Sequence, residues 1–273
     1  MRVGTCRDAL NAAAVEFGHL SETPRLDAEL LMAHALGVSR EDLLLHRLEG
    51  AAPEAFEALV ARRLAHEPIA YITGRRAFWT IELQVGPGVL VPRPDSETLI
   101  EAALAYFGGR APKRILDLGT GPGTLLLAAL DLWPDATGLG VDASEDALLH
   151  ARRNAVPRAE FRLGDWGDGL GERFDLILCN PPYVEDGAAL PPDVARWEPS
   201  AALFAGPDGL DAYRVLAPRL ARLLAPEGVV CVEIGAGQLI SATALFAARG
   251  FTIESRRDLK GIERCLLLTI DRE

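Results

Sequence analysis

The spacing of apolar residues changes character along the chain. Over residues 1–73 it is helical throughout. Leu26, Leu30, Ala33 and His34 recur at intervals of three and four, which places them on one face of a helix. Thr23-Pro24 opens that helix as an N-cap followed by proline at the first helical position, and Gly37 closes it. Ser39-Arg40-Glu41-Asp42 has the form of a capping box with Asp in the place of Glu. A third helix begins near Pro53, carries Phe56, Leu59, Val60 and Leu64 on one face, and stops at Glu67-Pro68. Short connections between such helices predict a small antiparallel bundle. It holds no catalytic constellation, so substrate recognition or scaffolding is its expected role, with His34 in or beside its core.

From residue 78 the pattern turns β-rich. Phe78 and its neighbours to Val85, then Gly86-Pro87-Gly88, then Val89-Leu90-Val91 predict a hairpin about the glycine-proline turn. Pro92-Arg93-Pro94-Asp95 leads into a helix through Leu99, Ala103 and Phe107. Arg93 and Asp95 fit a site role and a plain capping role equally. After Arg114 strands alternate with helices, the mark of a parallel, doubly wound sheet. Its expected strands are 115–118, a run ending at Val141-Asp142, 160–163, 174–178 and 229–234, closed by a pair over 251–257 and 264–270. The expected division is a helical domain over 1–73, a hairpin linker over 74–92 and an α/β domain over 93–273.

Composition narrows the function classes. A chain of 273 residues with 49% hydrophobic residues buries a full core. No apolar run reaches membrane-spanning length, and Met1-Arg2-Val3-Gly4-Thr5 has none of the features of a secretory leader. Cys6, Cys179, Cys231 and Cys265 form no Cys-x-x-Cys pair. Buried thiols in a reducing cytoplasm are therefore expected. The five histidines lack ligand spacing, so no metal is expected. A net charge of −11 disfavours broad contact with nucleic-acid backbones and favours a basic partner.

Two stretches carry candidate chemistry. Gly119-Thr120-Gly121-Pro122-Gly123 joins a strand to a helix, and Asp142 follows at the spacing from which an acidic residue meets ribose hydroxyls. A tight turn without a ligand accounts for the glycines alone. The spacing is one residue short of a dinucleotide fingerprint, and Pro122 removes an N–H from the region that would cradle a pyrophosphate. Both features favour a nucleoside without phosphates, with S-adenosylmethionine the leading candidate. Trp166 is placed to cover an adenine and Asp165 to accept from its amino group, although a part-buried loop tryptophan fits the same residues.

The second stretch is Asn180-Pro181-Pro182-Tyr183, which ends an apolar strand. Two prolines have no N–H for a ladder and fix a stiff extended turn. Asn180 is thereby held at the carboxyl end of a strand, where open α/β sheets bind ligands. The Asn180 side-chain oxygen and the Pro181 carbonyl form a pair of acceptors suited to a planar NH2 group. A proline-rich turn with Asn180 as a simple cap remains the structural alternative.

Taken together these motifs resemble the HemK/PrmC methyltransferases, which modify the glutamine nitrogen of peptide chain release factors. The resemblance runs through Pro68-Ile69-Ala70-Tyr71-Ile72-Thr73-Gly74, Val91-Pro92-Arg93-Pro94-Asp95-Ser96-Glu97, the glycine loop, Gly164-Asp165-Trp166 and Asn180-Pro181-Pro182-Tyr183. It continues through Glu198-Pro199, Asp208-Gly209-Leu210 with Tyr213-Arg214, and Glu233-Ile234-Gly235 with Gln238. It implies a Rossmann-like class I methyltransferase sheet of seven strands, the last antiparallel. It implies S-adenosylmethionine as cofactor on Gly119, Thr120, Gly121, Pro122, Gly123, Asp142, Trp166 and Asn180, with S-adenosylhomocysteine as product. It implies that Asn180, Pro181, Pro182 and Tyr183 hold the glutamine of a class-1 release factor, modulating translation termination. Pro122 and Thr124 depart from the family's usual small or flexible residues. No stable nucleic-acid partner is expected, and a monomer is.

An amide nitrogen is a weak nucleophile because its lone pair is delocalised. Accepting both its N–H groups raises electron density on nitrogen and aims it at the methyl, with Tyr183 packed on the flat amide to exclude water. Orientation of this kind lowers a barrier by on the order of 7–11 kcal/mol at best. The same acceptor pair suits the exocyclic amino group of adenine or guanine, so a nucleic-acid methyltransferase is the competing expectation. A binding scaffold that has kept the fold is a second.

Overall fold

The computed structural model describes residues 4–270. Residues 1–3, the start of the stretch read above against a leader, lie outside the described residues. The chain divides into two compact units, Met1–Arg75 with Leu190–Trp197, and Arg76–Ala189 with Glu198–Glu273. The expected boundary at 73 thus falls at 75, and an internal segment of the later sequence joins the helical unit.

The first unit is built from α1 (Cys6–Glu16), α2 (Pro24–Leu36), α3 (Arg40–Asp42), which runs on into a π-type turn over Leu43–Arg47, α4 (Ala55–Leu64) and α5 (Ile69–Thr73). Leu10, Phe17, Leu31, Met32, Leu43 and Phe56 fill its core. Pro24 starts α2 and Gly37, at φ 67°, ends it, but Thr23 makes no side-chain cap. Ser39 does cap, accepting from the Asp42 N–H at 3.1 Å. A full capping box appears instead at Thr5 and Asp8, ahead of α1. The short α5, which follows Pro68, is not visible as a periodic run. Arg63 lies in this core with its Nε 3.0 Å from Asp27 Oδ2, and its Nη1 bonds the Glu67 carbonyl at 3.3 Å. Asp193 approaches the same guanidinium at 3.8 Å from the returning segment.

The second unit begins with β1 (Arg75–Phe78), β2 (Ile81–Gln84) and α6 (Glu97–Phe107). It continues with β3 (Arg114–Leu118), α7 (Thr124–Leu132), β4 (Thr137–Asp142), α8 (Glu145–Asn154), β5 (Ala159–Leu163) and β6 (Phe174–Cys179). After α9 (Pro192–Trp197), which belongs to the first unit, come α10 (Asp211–Leu223), β7 (Leu224–Glu233), α11 (Leu239–Ala247), β8 (Thr252–Arg257) and β9 (Glu263–Thr269). The seven-stranded sheet has the order β5-β4-β3-β6-β7-β9-β8. Strands β5, β4, β3, β6 and β7 pair in parallel, and β9 runs antiparallel to both its neighbours. This is the class I methyltransferase sheet that the resemblance implies. The strands facing helices on both sides are near-continuous apolar runs, as in Leu176, Ile177, Leu178 and Cys179, each 0% exposed.

The hairpin is displaced from its expected turn. It pairs β1 with β2 about Trp79-Thr80, not about Gly86-Pro87-Gly88. Trp79 takes φ 54° and its N–H donates to Glu97 Oε1 at 2.9 Å. Residues 89–91 are not a strand because a side chain satisfies them: the Val91 N–H donates to Glu198 Oε2 at 3.0 Å. Among the described residues no helix is long and apolar enough to cross a membrane. All four cysteines are buried and unpaired.

The Arg63–Asp27 pair sets a test of the helical unit. Removing one partner of a buried pair strands the other charge, at a cost of about 3–5 kcal/mol. Asp27→Ala is expected to lower the protection of amides in α2 and α4 by that free energy, measured by native-state hydrogen exchange.

Candidate active site

Strand β3 pairs with β6 so that Leu118 faces Cys179. The next residue on each strand, Gly119 and Asn180, therefore emerges side by side at the carboxyl edge of the sheet. Chain connections leave in opposite directions at this point, the position at which open α/β sheets hold ligands. A cleft of about 540 Å³ opens there, bounded by Gly119, Gly121, Asp142, Trp166, Asn180 and Pro182, with Phe204, Ala205 and Val215 among its apolar walls. That volume suits a nucleoside-sized ligand. A smaller annex of about 50 Å³, lined by Arg93, Ser96, Asp117, Thr120, Pro122 and Asn180 among others, adjoins it through Gly119, Gly121 and Asn180.

The glycine loop spends its amides internally. Gly119 and Thr120 N–H groups donate to the Val141 carbonyl at 2.9 and 3.1 Å, and Gly123 N–H to the Thr120 carbonyl at 2.9 Å. Gly121 N–H donates to Asp142 Oδ2 at 2.8 Å, and Pro122 has none to give. A loop in this state is no phosphate cradle, which agrees with a nucleoside lacking phosphates. Asp142 is held by two backbone donors, Gly121 and, at 2.9 Å to Oδ1, Ser144. Each oxygen keeps a lone pair for a ribose hydroxyl. Burial raises the Asp142 pKa against the pull of those N–H groups.

Three residues expected on the cofactor do not line the main cleft. Thr120 is 3% exposed, its hydroxyl donating to Asp117 Oδ2 at 2.7 Å, so it reaches only the annex. Pro122 likewise lines only the annex, and its carbonyl accepts from Asn154 at 3.0 Å. Gly123 lines neither space. A Cβ there would stand 2.9 Å from Leu127 and 3.3 Å from Phe161, and its φ is 90°, so glycine is required by packing and backbone conformation. Trp166 does line the cleft, at φ 47°, with its ring laid against Gly119. Its loop is fastened by α10. Arg219 donates to the Asp165 carbonyl at 3.1 Å and pairs with Asp168 at 3.1 Å, and Arg222 donates to the Gly167 carbonyl at 3.2 Å. Asp165 also lines the cleft.

Asn180 borders both spaces. Its Nδ2 donates to Ser96 Oγ at 3.0 Å. Among the described residues no donor reaches the Asn180 side-chain oxygen or the Pro181 carbonyl. Pro182 lines the cleft, whereas Pro181 is buried behind it. Tyr183 lines neither space. Its hydroxyl donates to Glu233 Oε1 at 3.0 Å and its carbonyl accepts from Gln238 at 3.0 Å. Burial beside that carboxylate raises the phenol's pKa.

Four contributors escape sequence patterning. Ser96, 2% exposed, anchors Asn180 across 84 positions. Glu233, 1% exposed, sits behind the motif, and burial pushes its carboxyl up to about 7 against the pull of Ser96, Tyr183 and Arg264. Asp117, also 1% exposed, is the penultimate residue of β3 with Oδ1 lacking any partner, and burial pushes it up to about 7. Glu198 pairs with Arg93 while it accepts from Val91, which gives Arg93 a bracing role; Asp95 faces Arg264 at 3.7 Å.

Comparison with known proteins places these features in context. Residues 8–74 match the PrmC N-terminal domain and residues 110–248 a methyltransferase domain. A release factor glutamine methyltransferase of Rhodospirillum rubrum is 48% identical over 257 residues, covering 90% of this chain and 79% of that protein. One of Caulobacter vibrioides is 42% identical over 258 residues, covering 90% and 89%. A 16S rRNA methyltransferase of T. thermophilus, solved with AdoMet and guanosine, superposes with a TM-score of 0.54 at 21% identity over 72% of this chain and 50% of that one. At that identity it shares the fold.

Asp117 and Glu233 give the second unit a pH signature. Burial pushes each carboxyl up to about 7 in the folded state, above the ordinary carboxylate range of about 4. The folded state therefore holds more protons than the unfolded chain between about pH 4 and 7, and stability falls as pH rises through that window. The thermal midpoint without cofactor is expected to drop between pH 5.5 and 8 in scanning calorimetry, with a shallower slope in Asp117→Asn.

Proposed function

The chain belongs to the release factor glutamine methyltransferase family, and from that premise we propose that it transfers a methyl group from S-adenosylmethionine to the side-chain nitrogen of a release factor glutamine, that of the Gly-Gly-Gln sequence. The observation that carries this reading is the half-satisfied carboxamide of Asn180. Its NH2 end is anchored to buried Ser96, and its oxygen lacks a donor beside a cleft that also holds Asp142 and Trp166.

The residues present fit the cofactor. Asp142 accepts from ribose hydroxyls while two backbone amides hold it in place. Trp166 and the apolar cleft wall take the flat base. Asp117, with its unpartnered Oδ1 on the annex, offers an anion to the cationic amino-acid end. When bound, S-adenosylmethionine supplies an electrophilic methyl on a sulfonium. Asn180 Oδ1 and the Pro181 carbonyl each accept one N–H of the glutamine amide, which orients the nitrogen and raises its electron density. Pro182 and the cleft wall exclude water from the transfer. Tyr183 acts from behind, holding the turn through Glu233 and Gln238.

The helical unit is the proposed grip on the release factor, and the net charge of −11 favours a basic partner surface. Labelled methyl transfer tests the assignment. Purified release factors with and without their Gly-Gly-Gln glutamine are offered beside tRNA, rRNA and duplex DNA. Label is expected only in the intact release factor, and label in nucleic acid overturns the reading. Asn180→Ala is expected to lower kcat by about 100-fold or more with the cofactor still bound. Asp142→Asn is expected to weaken cofactor binding by about 10- to 100-fold in titration calorimetry.

A further inference from the structure

The turn after β6 is held at two ends, and only one of them belongs to the sheet. Cys179 is fixed by ladders to β3 and β7 on either side. From Val184 onward the chain pairs instead with the cleft wall. Val184 N–H donates to the Leu203 carbonyl, Ala205 N–H to the Val184 carbonyl and Asp186 N–H to the Gly206 carbonyl, each at 2.9 Å. Phe204, Ala205 and Gly206 of that wall line the cleft. Between the two ends the prolines fix φ, so the direction of the Asn180 oxygen and the Pro181 carbonyl depends on where the Tyr183 backbone is held. The ladder begins one residue too late to hold it, and the Tyr183 hydroxyl on Glu233 fixes the ring, not the backbone.

One side chain takes hold of both segments. Gln238, at the N-cap of α11, donates from Nε2 to the Tyr183 carbonyl at 3.0 Å and to the Gly209 carbonyl at 3.3 Å. Gly209 closes the wall segment, its N–H donating to the Gly206 carbonyl at 3.2 Å. The Gln238 amide cannot turn over. Its Oε1 accepts from the Gly235 N–H at 2.9 Å, and a backbone N–H only donates. The Tyr213 hydroxyl, shared with the Glu233 carbonyl, is a second donor to Oε1 at 3.2 Å. Both ends of the carboxamide are thus in use. Packing around it leaves no slack. A Cβ on Gly209 would overlap the Tyr183 carbonyl oxygen and stand 2.8 Å from Gln238 Nε2, and one on Gly235 would stand 2.7 Å from Gln238 Oε1. Glycine is required at both positions.

We propose that Gln238 is a positioning residue for methyl transfer: it locks the turn that presents Asn180 and Pro181 to the wall of the nucleoside cleft, and so keeps the glutamine nitrogen aimed at the methyl. The inference rests on the glutamine reading above. Gln238 lines neither the cleft nor the annex. Its effect is therefore on alignment and not on affinity. Transfer requires nitrogen, methyl carbon and sulfur to stand close to one line. Two ligands held on segments that move separately meet that requirement only part of the time. Without the Gln238 donors the turn shifts against the wall, while each side keeps the groups that bind its own ligand. Asn180 stays tied to Ser96 at 3.0 Å, and Asp142 to Gly121 at 2.8 Å.

The test uses the full chain with an intact release factor and saturating cofactor, at a temperature below each variant's calorimetric midpoint. Gln238→Met keeps the length of the side chain and removes its donors. It is expected to lower kcat by about 10- to 100-fold, the scale of a misplacement of about 1 Å. The cofactor Kd and the KM for release factor, whose proposed grip is the helical unit, are expected to stay within about threefold. A general loosening of the fold would not give that split. Gln238→Ala is expected to match Gln238→Met in kcat, because the donors and not the volume are what count, and it carries the test should Gln238→Met fail to fold. Wild-type kcat in either variant overturns the proposal, as does a fall in kcat matched by an equal loss of cofactor affinity. A wild-type enzyme that labels no release factor overturns the glutamine reading, and this inference with it.

Discussion

The pairing of Leu118 with Cys179 across β3 and β6 is the constraint on which the carboxyl edge of the sheet depends. It lets one strand deliver the glycine loop and the other deliver Asn180 to the same place. A slip of one residue would turn the Asn180 side chain to the other face, because side chains alternate along a strand. The slip is resisted by the core, since the residues leading to both ends of the pair are fully buried. Burial of Leu116, Leu118, Ile177 and Cys179 in one cluster thus holds two polar groups in register at the rim.

Around that rim, polar groups divide into those closed by the protein and those left open. The loop amides and the Tyr183 hydroxyl are engaged, and each Asp142 oxygen takes one backbone N–H and keeps a lone pair. The Asn180 oxygen, the Pro181 carbonyl and Asp117 Oδ1 are not. An unpaired buried polar group costs about 1–3 kcal/mol, so such groups are sparse in folded proteins and concentrate where a ligand completes them. Asp117 Oδ1 is such a group at the rim, and Glu233 Oε2 is another behind it.

Much of this is legible in the sequence. Strand–helix alternation after Arg114 gives the sheet because each buried strand is an apolar run bounded by turn residues. Asn180-Pro181-Pro182-Tyr183 gives the site because prolines stop a strand in a known way. What stays hidden depends on long-range polar contacts. Gly86-Pro87-Gly88 has the composition of a hairpin turn, yet Glu97 and Glu198 take the backbone N–H groups of Trp79 and Val91, the latter across 107 positions. Ser96 has no local feature that marks it as the anchor of Asn180. Tyr183 looks like a lid over the substrate until the Glu233 carboxylate, which turns its hydroxyl inward, is in view.

The return of Leu190–Trp197 to the helical unit means that the backbone passes between the two units three times. The first 75 residues are consequently not a detachable module. A chimera exchanging them between relatives would keep the parent's returning segment, and Arg63 would meet an Asp193 that came from another lineage. Such threading ties the inheritance of the N-terminal helices to that of the residues just after the Asn-Pro-Pro-Tyr turn, so that the two parts change together or not at all.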